Sequence, residues 1–507
     1  MFYGKVQFMS TSKNLRLFLT ALLAVMVCAS TLSSVRADDA KKAKNVILFI
    51  GDGDGFNSEI LGSYYHTGEP WGEVYHHFPV VLGSATFSLH KHSNGVTDWD
   101  PAGDPEKNMG YNPEQFWKDP SGGSWRPSNT ETTDSAASAT AINTGHKTLG
   151  GRLNFDPEGN KLENFAEKNI KAGRSVGVVT TNQISHATPA GASAHNLARG
   201  NYEEISKEQI NDVPLTVLMG GGHPDYNNGK KVDKSADDRN YQYVGGREIW
   251  EKLKANDGYK GWKLIDERSE FAELAAATPD SGKETPAKLL GVARTTGDLP
   301  PVDGDVDNPS LMAKEYTQEA VDAIPSLTEM TLASLNILSK NDKGFYLMVE
   351  GGNIDHANHA NNAKKSAYEH AAFAKAIEAA VAWVEKYSSW DETIMIDTAD
   401  HETGQIWGDG TYVDENNNGK YDKKEDTFED FMKIEKSEKG KIPAVQYLSG
   451  SHTNALVPFC AKGCGAELAR DFIRGNDPKG AKFWNFSGDF IYNSDVFNVM
   501  SAASGIK

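Results

Sequence analysis

The sequence predicts an α/β fold: a large, mainly parallel β-sheet flanked by helices on both faces, with insertions at its functional end. Three observations lead there. Short apolar runs recur along the chain and stop at glycine or polar clusters: "NVILFIGDGDG", "RSVGVVTTNQISHAT", "PLTVLMGGGH", "GFYLMVEGGNID" and "ETIMIDTADHETG". Such runs, apolar without alternation, suit strands buried on both faces. Helical stretches lie between them, and strands alternating with helices build parallel sheets covered on both sides. Finally, acids and histidines gather where the runs end, and ligands of open parallel sheets sit beyond the carboxyl ends of the strands.

In chain order, residues 1–37 read as a signal peptide. Lys5, Lys13 and Arg16 precede the apolar run "LFLTALLAVMVCASTL", and Val35-Arg36-Ala37 supplies a small-x-small cleavage pattern. A periplasmic or secreted protein is expected, with residues 38–507 as a single domain. No other run approaches the roughly 18 apolar residues of a membrane helix, so no transmembrane segment is expected. Residues 88–128, rich in Trp, Asp, Pro and Gly without a clear period, read as a first insertion.

The stretch "ETTDSAASATAINTG", residues 131–145, reads as a helix of very small side chains that starts at Ser135 and closes in a left-handed cap at Gly145. Small residues let a helix lie close to its neighbours. A hydroxyl at a helix N-terminus also meets free N–H groups and a positive dipole end, where anions bind. Both readings stand on this stretch alone. "ENFAEKNIKAG" reads as a helix leading into the second strand. "AAFAKAIEAAVAWVEKY" places Phe373, Ile377, Val381 and Val384 on one core-facing side. Residues 405–450, strongly charged, form the second insertion.

The 507 residues carry a formal charge of −18, which argues against a nucleic-acid-binding role because phosphate backbones need clustered Lys and Arg. A small anionic substrate would need local cations. Beyond the leader only Cys460 and Cys464 remain, in "FCAKGC". In an oxidising compartment they are expected as a local disulfide; two thiols without a nearby histidine make a poor zinc site.

The chemistry concentrates at the strand ends. Asp52 closes the first run and Glu350 another, followed by Asp355 and His359 at helical spacing; Asp400 and His401 close a third. His452 stands just before the last apolar run. Singly, each has a plain explanation, since aspartates cap helices and lone histidines are common. Together at one sheet edge, three histidines and several carboxylates without cysteine suit zinc with a harder companion such as magnesium. Two close metal ions serve an in-line displacement, and coordination would activate the weakly nucleophilic hydroxyl of Ser135.

With these motifs in view the sequence resembles the alkaline phosphatases, the metal-dependent family with a serine nucleophile. "FIGDGDG", "TDSAASATAINTG", "HATPAGASAHNLAR", "MVEGGNIDHANH", "TADHETG" and "GSHT" occur in the family's order across about residues 45–460. The resemblance implies an enzyme that hydrolyses phosphate monoesters through a phosphoserine on Ser135, with Arg199 clamping the phosphoryl oxygens in a fork. It implies Asp355, His359 and His452 around one zinc and Asp400 and His401 around a second. Asp52 would bridge to a magnesium-type site completed by Thr188 and Glu350. A homodimer is implied as well.

His186 stands where the best-known bacterial form has aspartate, so it is expected in or behind the third site, and His356 replaces a lysine. Asp397 interrupts "TIMIDTADH", where an apolar or small residue is expected. The rival readings are a phosphodiesterase of the same superfamily and a calcium-binding surface protein on a phosphatase frame. A sulfatase is disfavoured because "DSAAS" lacks the C/S-x-P-x-R setting.

One motif is independent of the resemblance. In "DENNNGKYDKKE", Asp414, Asn416 and Asn418 take positions one, three and five of an EF-hand-like loop, with Gly419 at six, Asp422 at nine and Glu425 at twelve. The spacing predicts a calcium ion, to which Lys420 would give only its backbone carbonyl. The plainer reading is a solvated turn ahead of an acidic helix, "EDTFEDFMKIEK".

Overall fold

A computed structural model describes residues 41–91, 110–118, 130–255, 258–303 and 316–507, of which those from Ala43 onward form one compact unit. The expected signal peptide lies outside the described residues.

Eleven strands form the central sheet: β1 (Asn45–Gly51), β2 (Val80–Ala85), β3 (Ser175–Gln183), β4 (Val217–Gly221), β5 (Lys263–Ile265), β6 (Leu289–Val292), β7 (Phe345–Gly351), β8 (Thr393–Ala399), β9 (Val457–Gly463), β10 (Gly475–Asn476) and β11 (Asp489–Tyr492). Their spatial order is β10-β11-β2-β9-β8-β1-β7-β3-β4-β6-β5. From β8 to β5 every pairing is parallel; β9 runs antiparallel to β8 and β2. The five apolar runs are β1, β3, β4, β7 and β8. All seven residues of β1 are buried, and its side chains divide with a period of two. Val46, Leu48 and Ile50 join one core; Ile47 and Phe49 join the other.

Helices α1 (Phe56–Thr67), α2 (Ser135–Thr144), α3 (Phe165–Lys171), α4 (Ala187–Gly191), α5 (Leu327–Leu338), α6 (Asn353–His359), α7 (Ala363–Tyr387) and α8 (Asn493–Ser504) include those that cover the two faces. The first core takes Ile142 of α2, Phe165 of α3 and Val496 of α8. The second takes Leu335 of α5 and Phe373, Ile377, Val381 and Val384 of α7, the side expected from their spacing. Helix α2 is buried along its whole length. A methyl at Gly191 of α4 would sit 2.4 Å from Ala139 Cβ, so small residues on both helices permit this crossing. Gly145 ends α2 at φ 77°, its N–H donating to the Ala141 carbonyl.

The expected Cys460–Cys464 disulfide is not formed. Cys460 to Gly463 is extended strand, paired residue for residue with Asp397 to Ile394. Those three steps already span about 10 Å, beyond the Cα separation a disulfide bridges. The acidic helix that the plainer reading places over "EDTFEDFMKIEK" is also absent. Thr427–Phe428 pairs with Tyr412–Val413, and the Gly408 N–H donates to the Met432 carbonyl at 2.9 Å. A Cβ at Gly408 would stand 2.0 Å from the Lys433 carbonyl, so the chain passes close only because glycine is there. Pairing outward, with Phe431 and Ile434 buried, replaces helical bonding.

Within the first insertion Trp99 and Trp125 lie outside the described residues. Tyr111 and Trp117 are anchored through their O–H and N–H on the buried carboxylate of Asp477. Trp117 packs on Trp407 of the second insertion, at 5.7 Å between ring centroids, and on Phe483 at 5.1 Å. The two insertions thus share one aromatic cluster.

Candidate active site

The site assembles where the parallel strands end. Asp52 follows β1, Glu350 lies at the end of β7, and Asp355 and His359 lie one turn apart on α6. Asp400 and His401 follow β8. His452 is delivered by a two-residue strand paired with Glu402–Thr403, and Ser135 opens α2.

Three groups of donors could each hold an ion: Asp355, His401 and His452; Asp52, Asp400 and His401; and Asp52, His186 and Glu350. Within each group the donor atoms lie within 4.8 Å of one another. His359 Nε2 is 3.4 Å from Asp355 Oδ1, and His452 Nε2 is 3.6 Å from the same oxygen. His401 Nε2 lies 3.2 Å from Asp400 Oδ2 and 3.6 Å from Asp52 Oδ1. The Thr188 hydroxyl donates to Asp52 Oδ2 at 3.3 Å. Every residue that the resemblance implies as a ligand therefore falls in one centre, with His186 a member of the third group.

Backbone contacts orient the imidazoles. Nδ1 of His359 faces the Gly450 carbonyl and Nδ1 of His452 the Thr133 carbonyl, both at 2.8 Å. A carbonyl only accepts, so each Nδ1 carries the proton and each Nε2 lone pair turns to the centre, as metal ligation requires. The rings of His401 and His452 stack at 3.6 Å between centroids.

The electrostatics point the same way. Burial, then Asp400, Asp355 and Glu350, push Asp52 far above the ordinary carboxylate range. Burial, then Asp355, does the same to Asp400. Burial lifts Glu350 to about 7. Burial, then His452 and Arg199, depresses His401, and burial, then Arg199 and His356, holds His186 at about 3. Asp52 Oδ1, Asp400 Oδ2 and Glu350 Oε1 are buried without a hydrogen-bond partner. Crowded carboxylates with bare oxygens, facing imidazole lone pairs, are a donor set that cations complete. The residues fit metal ions.

Ser135 Oγ lies 3.3 Å from His401 Nε2, inside this centre. Asp134 caps α2, accepting from Ala137 N at 3.1 Å, and its other oxygen holds Arg199 Nη1 at 3.0 Å. Ser135, the start of α2 and the Arg199 guanidinium are thereby fixed relative to one another.

A family model described as alkaline phosphatase matches residues 121–504. The chain belongs to the alkaline phosphatase family. It is 27% identical to alkaline phosphatase 3 of Bacillus subtilis strain 168, over 78% of this chain and 70% of that one. It is 29% identical to the alkaline phosphatase of Escherichia coli strain K12, over 71% of this chain and 70% of that one. The match to alkaline phosphatase 4 of Bacillus subtilis strain 168, at 30% identity, covers 54% of this chain but spans only about half of that relative, 50%. In fold the chain is similar to the alkaline phosphatase structure from the Antarctic bacterium TAB5, with a TM-score of 0.57 at 22% identity over 92% of this chain and 100% of that one.

Several site residues escaped sequence reasoning. The Thr403 hydroxyl donates to Asp355 Oδ1 at 2.6 Å, holding a ligand carboxylate. Asp298 pairs with His356 Nδ1 at 2.8 Å, and Asp134 carries Arg199. Proximity to a motif marked two of them, Thr403 inside "TADHETG" and Asp134 directly before Ser135, whereas Asp298 lies in no motif. Asp397 is buried on β8, neither oxygen hydrogen-bonded.

The calcium-motif loop closes on itself. Asp414 accepts from the N–H groups of Asn418 and Gly419, Asn418 Oδ1 from Lys420 N, and Asn416 Nδ2 donates to Glu425 at 2.6 Å. Positions one, three, five and twelve are therefore neighbours. Asp422 Oδ1 instead accepts from Lys424 N.

Proposed function

We propose that this chain is an exported phosphomonoester hydrolase that works through a phosphoserine on Ser135 at a centre of two zinc ions and one magnesium ion. The observation that carries the reading is Ser135 Oγ at the N-terminus of α2, 3.3 Å from His401 Nε2 among the metal-ligand groups. Asp355, His359 and His452 would hold one zinc and Asp400 and His401 the other; Asp52, Thr188 and Glu350 would hold magnesium, with Asp52 shared between the second and third donor groups and His186 at the third. When bound, these ions supply Lewis-acid stabilisation of the phosphoryl charge and of the attacking and departing oxygens.

The chain's own residues do the rest. Ser135 Oγ attacks phosphorus in line, forming the Oγ–P bond as the ester P–O bond breaks and the alcohol leaves. Water then displaces Ser135 and inorganic phosphate departs. Arg199, braced by Asp134, forks two phosphoryl oxygens, while the N-terminal N–H groups of α2 face the same charge. The monoester is favoured over the diester because Arg199, held beside Ser135 by Asp134, and the third donor group with Glu350 and Thr188 suit a dianion, and a diester offers one charged oxygen fewer.

Hydrolysis of a chromogenic phosphomonoester and its diester analogue, by chelated protein before and after zinc and magnesium are added, tests this reading. Metal-dependent turnover of the monoester supports it; faster diester turnover replaces it with the phosphodiesterase. Export rests on the leader-like residues 1–37, and a homodimer on family membership; light scattering tests the latter.

Calcium is proposed for the loop of Asp414, Asn416, Asn418, Lys420, Asp422 and Glu425, whose complete motif supports it. With three carboxylates its affinity is on the order of 0.1–1 mM. Calcium should slow proteolysis within residues 405–450, and Asp414→Ala with Glu425→Ala should abolish that protection. Equal cleavage with and without calcium refutes the site.

A further inference from the structure

A second group of acids and histidines lies on the face of the sheet covered by α7, and the reaction above does not use it. Asp54, Glu59, Glu73 and Asp397 are each no more than 2% exposed. Three are held singly by histidines: Asp54 Oδ2 by His370 Nδ1 at 3.0 Å, Glu59 Oε2 by His76 Nε2 at 2.9 Å, and Glu73 by His66 Nδ1 at 3.0 and 3.1 Å. A Cβ at Gly62 would sit 2.1 Å from the His370 ring, so α1 leaves room for that imidazole.

Asp397 has no hydrogen-bond partner on either oxygen. Burial, then Asp54 and Glu73, raise it, and burial, then Asp397, Asp54 and Glu73, raise Glu59. The group is short of positive charge, and burial makes that shortage costly. From Glu73 it leads outward. His66, 8% exposed at the last turn of α1, and Glu73 meet the exposed Glu378 of α7, with one donor atom from each within 4.8 Å of the others.

We propose that His66, Glu73 and Glu378 bind one zinc-class divalent ion, separate from the catalytic metals. One imidazole and two carboxylates, without thiolate, suit zinc or manganese ahead of calcium or magnesium. His66 and Glu73 are fixed by burial. The exposed Glu378 side chain turns in to close the shell, and water fills the remaining position. The ion sets two positive charges beside Glu73, the carboxylate through which Asp397 and Glu59 feel the outer end of the group.

The test is zinc-edge anomalous diffraction from zinc- and magnesium-loaded crystals held at micromolar free zinc, with metal analysis of the same protein. The expected result is a peak between the three side chains and one further zinc per chain. Glu378→Gln and His66→Gln should each remove that zinc and leave phosphomonoester turnover unchanged. Glu378 is exposed, so its variant still reads the site if His66→Gln does not fold. No peak there while the catalytic sites are full overturns the proposal, as does a peak only at millimolar zinc or an extra zinc that survives Glu378→Gln.

Discussion

Arg199→Ala removes the guanidinium proposed to clamp the phosphoryl group, and the structure sets the size of its effect. Arg199 Nη1 is committed to Asp134 Oδ2 at 3.0 Å, which leaves the rest of its donor fork for substrate. Two charge-assisted bonds at about 1.5–3 kcal/mol each give about 3–6 kcal/mol before losses. The side chain is 27% exposed, and water partly replaces the lost bonds, so about 2–4 kcal/mol is expected in the transition state. That corresponds to a roughly 30- to 1000-fold fall in kcat/KM for a monoester. A diester offers one charged oxygen fewer, so about half the free energy and a roughly 5- to 30-fold fall are expected. Steady-state kinetics on an aryl monoester and its methyl diester, with metals saturating, measure both. Equal losses on the two substrates would refute a clamp built for the monoester dianion.

The Thr403 hydroxyl orients Asp355, so Thr403→Val should weaken zinc retention by about 10- to 100-fold in competition with a chelator, while the phosphorylated residue stays the same. His195 predicts a pH dependence of stability. Burial disfavours its charge, but hydrogen bonds to Glu167 and Glu208 outweigh burial and raise it to about 9. A raised histidine stabilises the fold fully below its ordinary value near 6.5 and loses that contribution as pH rises through about 9. The difference corresponds to about 3 kcal/mol. Denaturation of wild type and His195→Gln should differ most at pH 6 and converge above pH 9; a gap that stays constant with pH contradicts the pairing.

The inner parallel strands were legible because burial on both faces leaves apolar runs, as in β1, β3 and β7 and in β8 up to Asp397. The edge was not: β5 spans only Lys263–Ile265, and β10 only Gly475–Asn476, too short for any period to register. The candidate metal-binding groups were legible for a physical reason. Strand ends deliver Asp52, Glu350 and Asp400 to one edge, so position in the chain predicts position in space. Thr403 and Asp134 act on partners 48 and 65 residues away, and no local pattern encodes such contacts. The acidic stretch after Glu425 misled because its charge suits a helix, whereas Gly408 draws its backbone into outward pairing.

The proposed reaction stands on Ser135 forming a covalent phosphoenzyme. Acid quenching during turnover of a phosphomonoester, followed by peptide mapping, tests it most directly. Phosphate on the peptide containing Ser135, absent from Ser135→Ala protein that has lost nearly all turnover but still binds inorganic phosphate, is the predicted result. Phosphate on another residue, or a Ser135→Ala enzyme that keeps most of its activity, would contradict it.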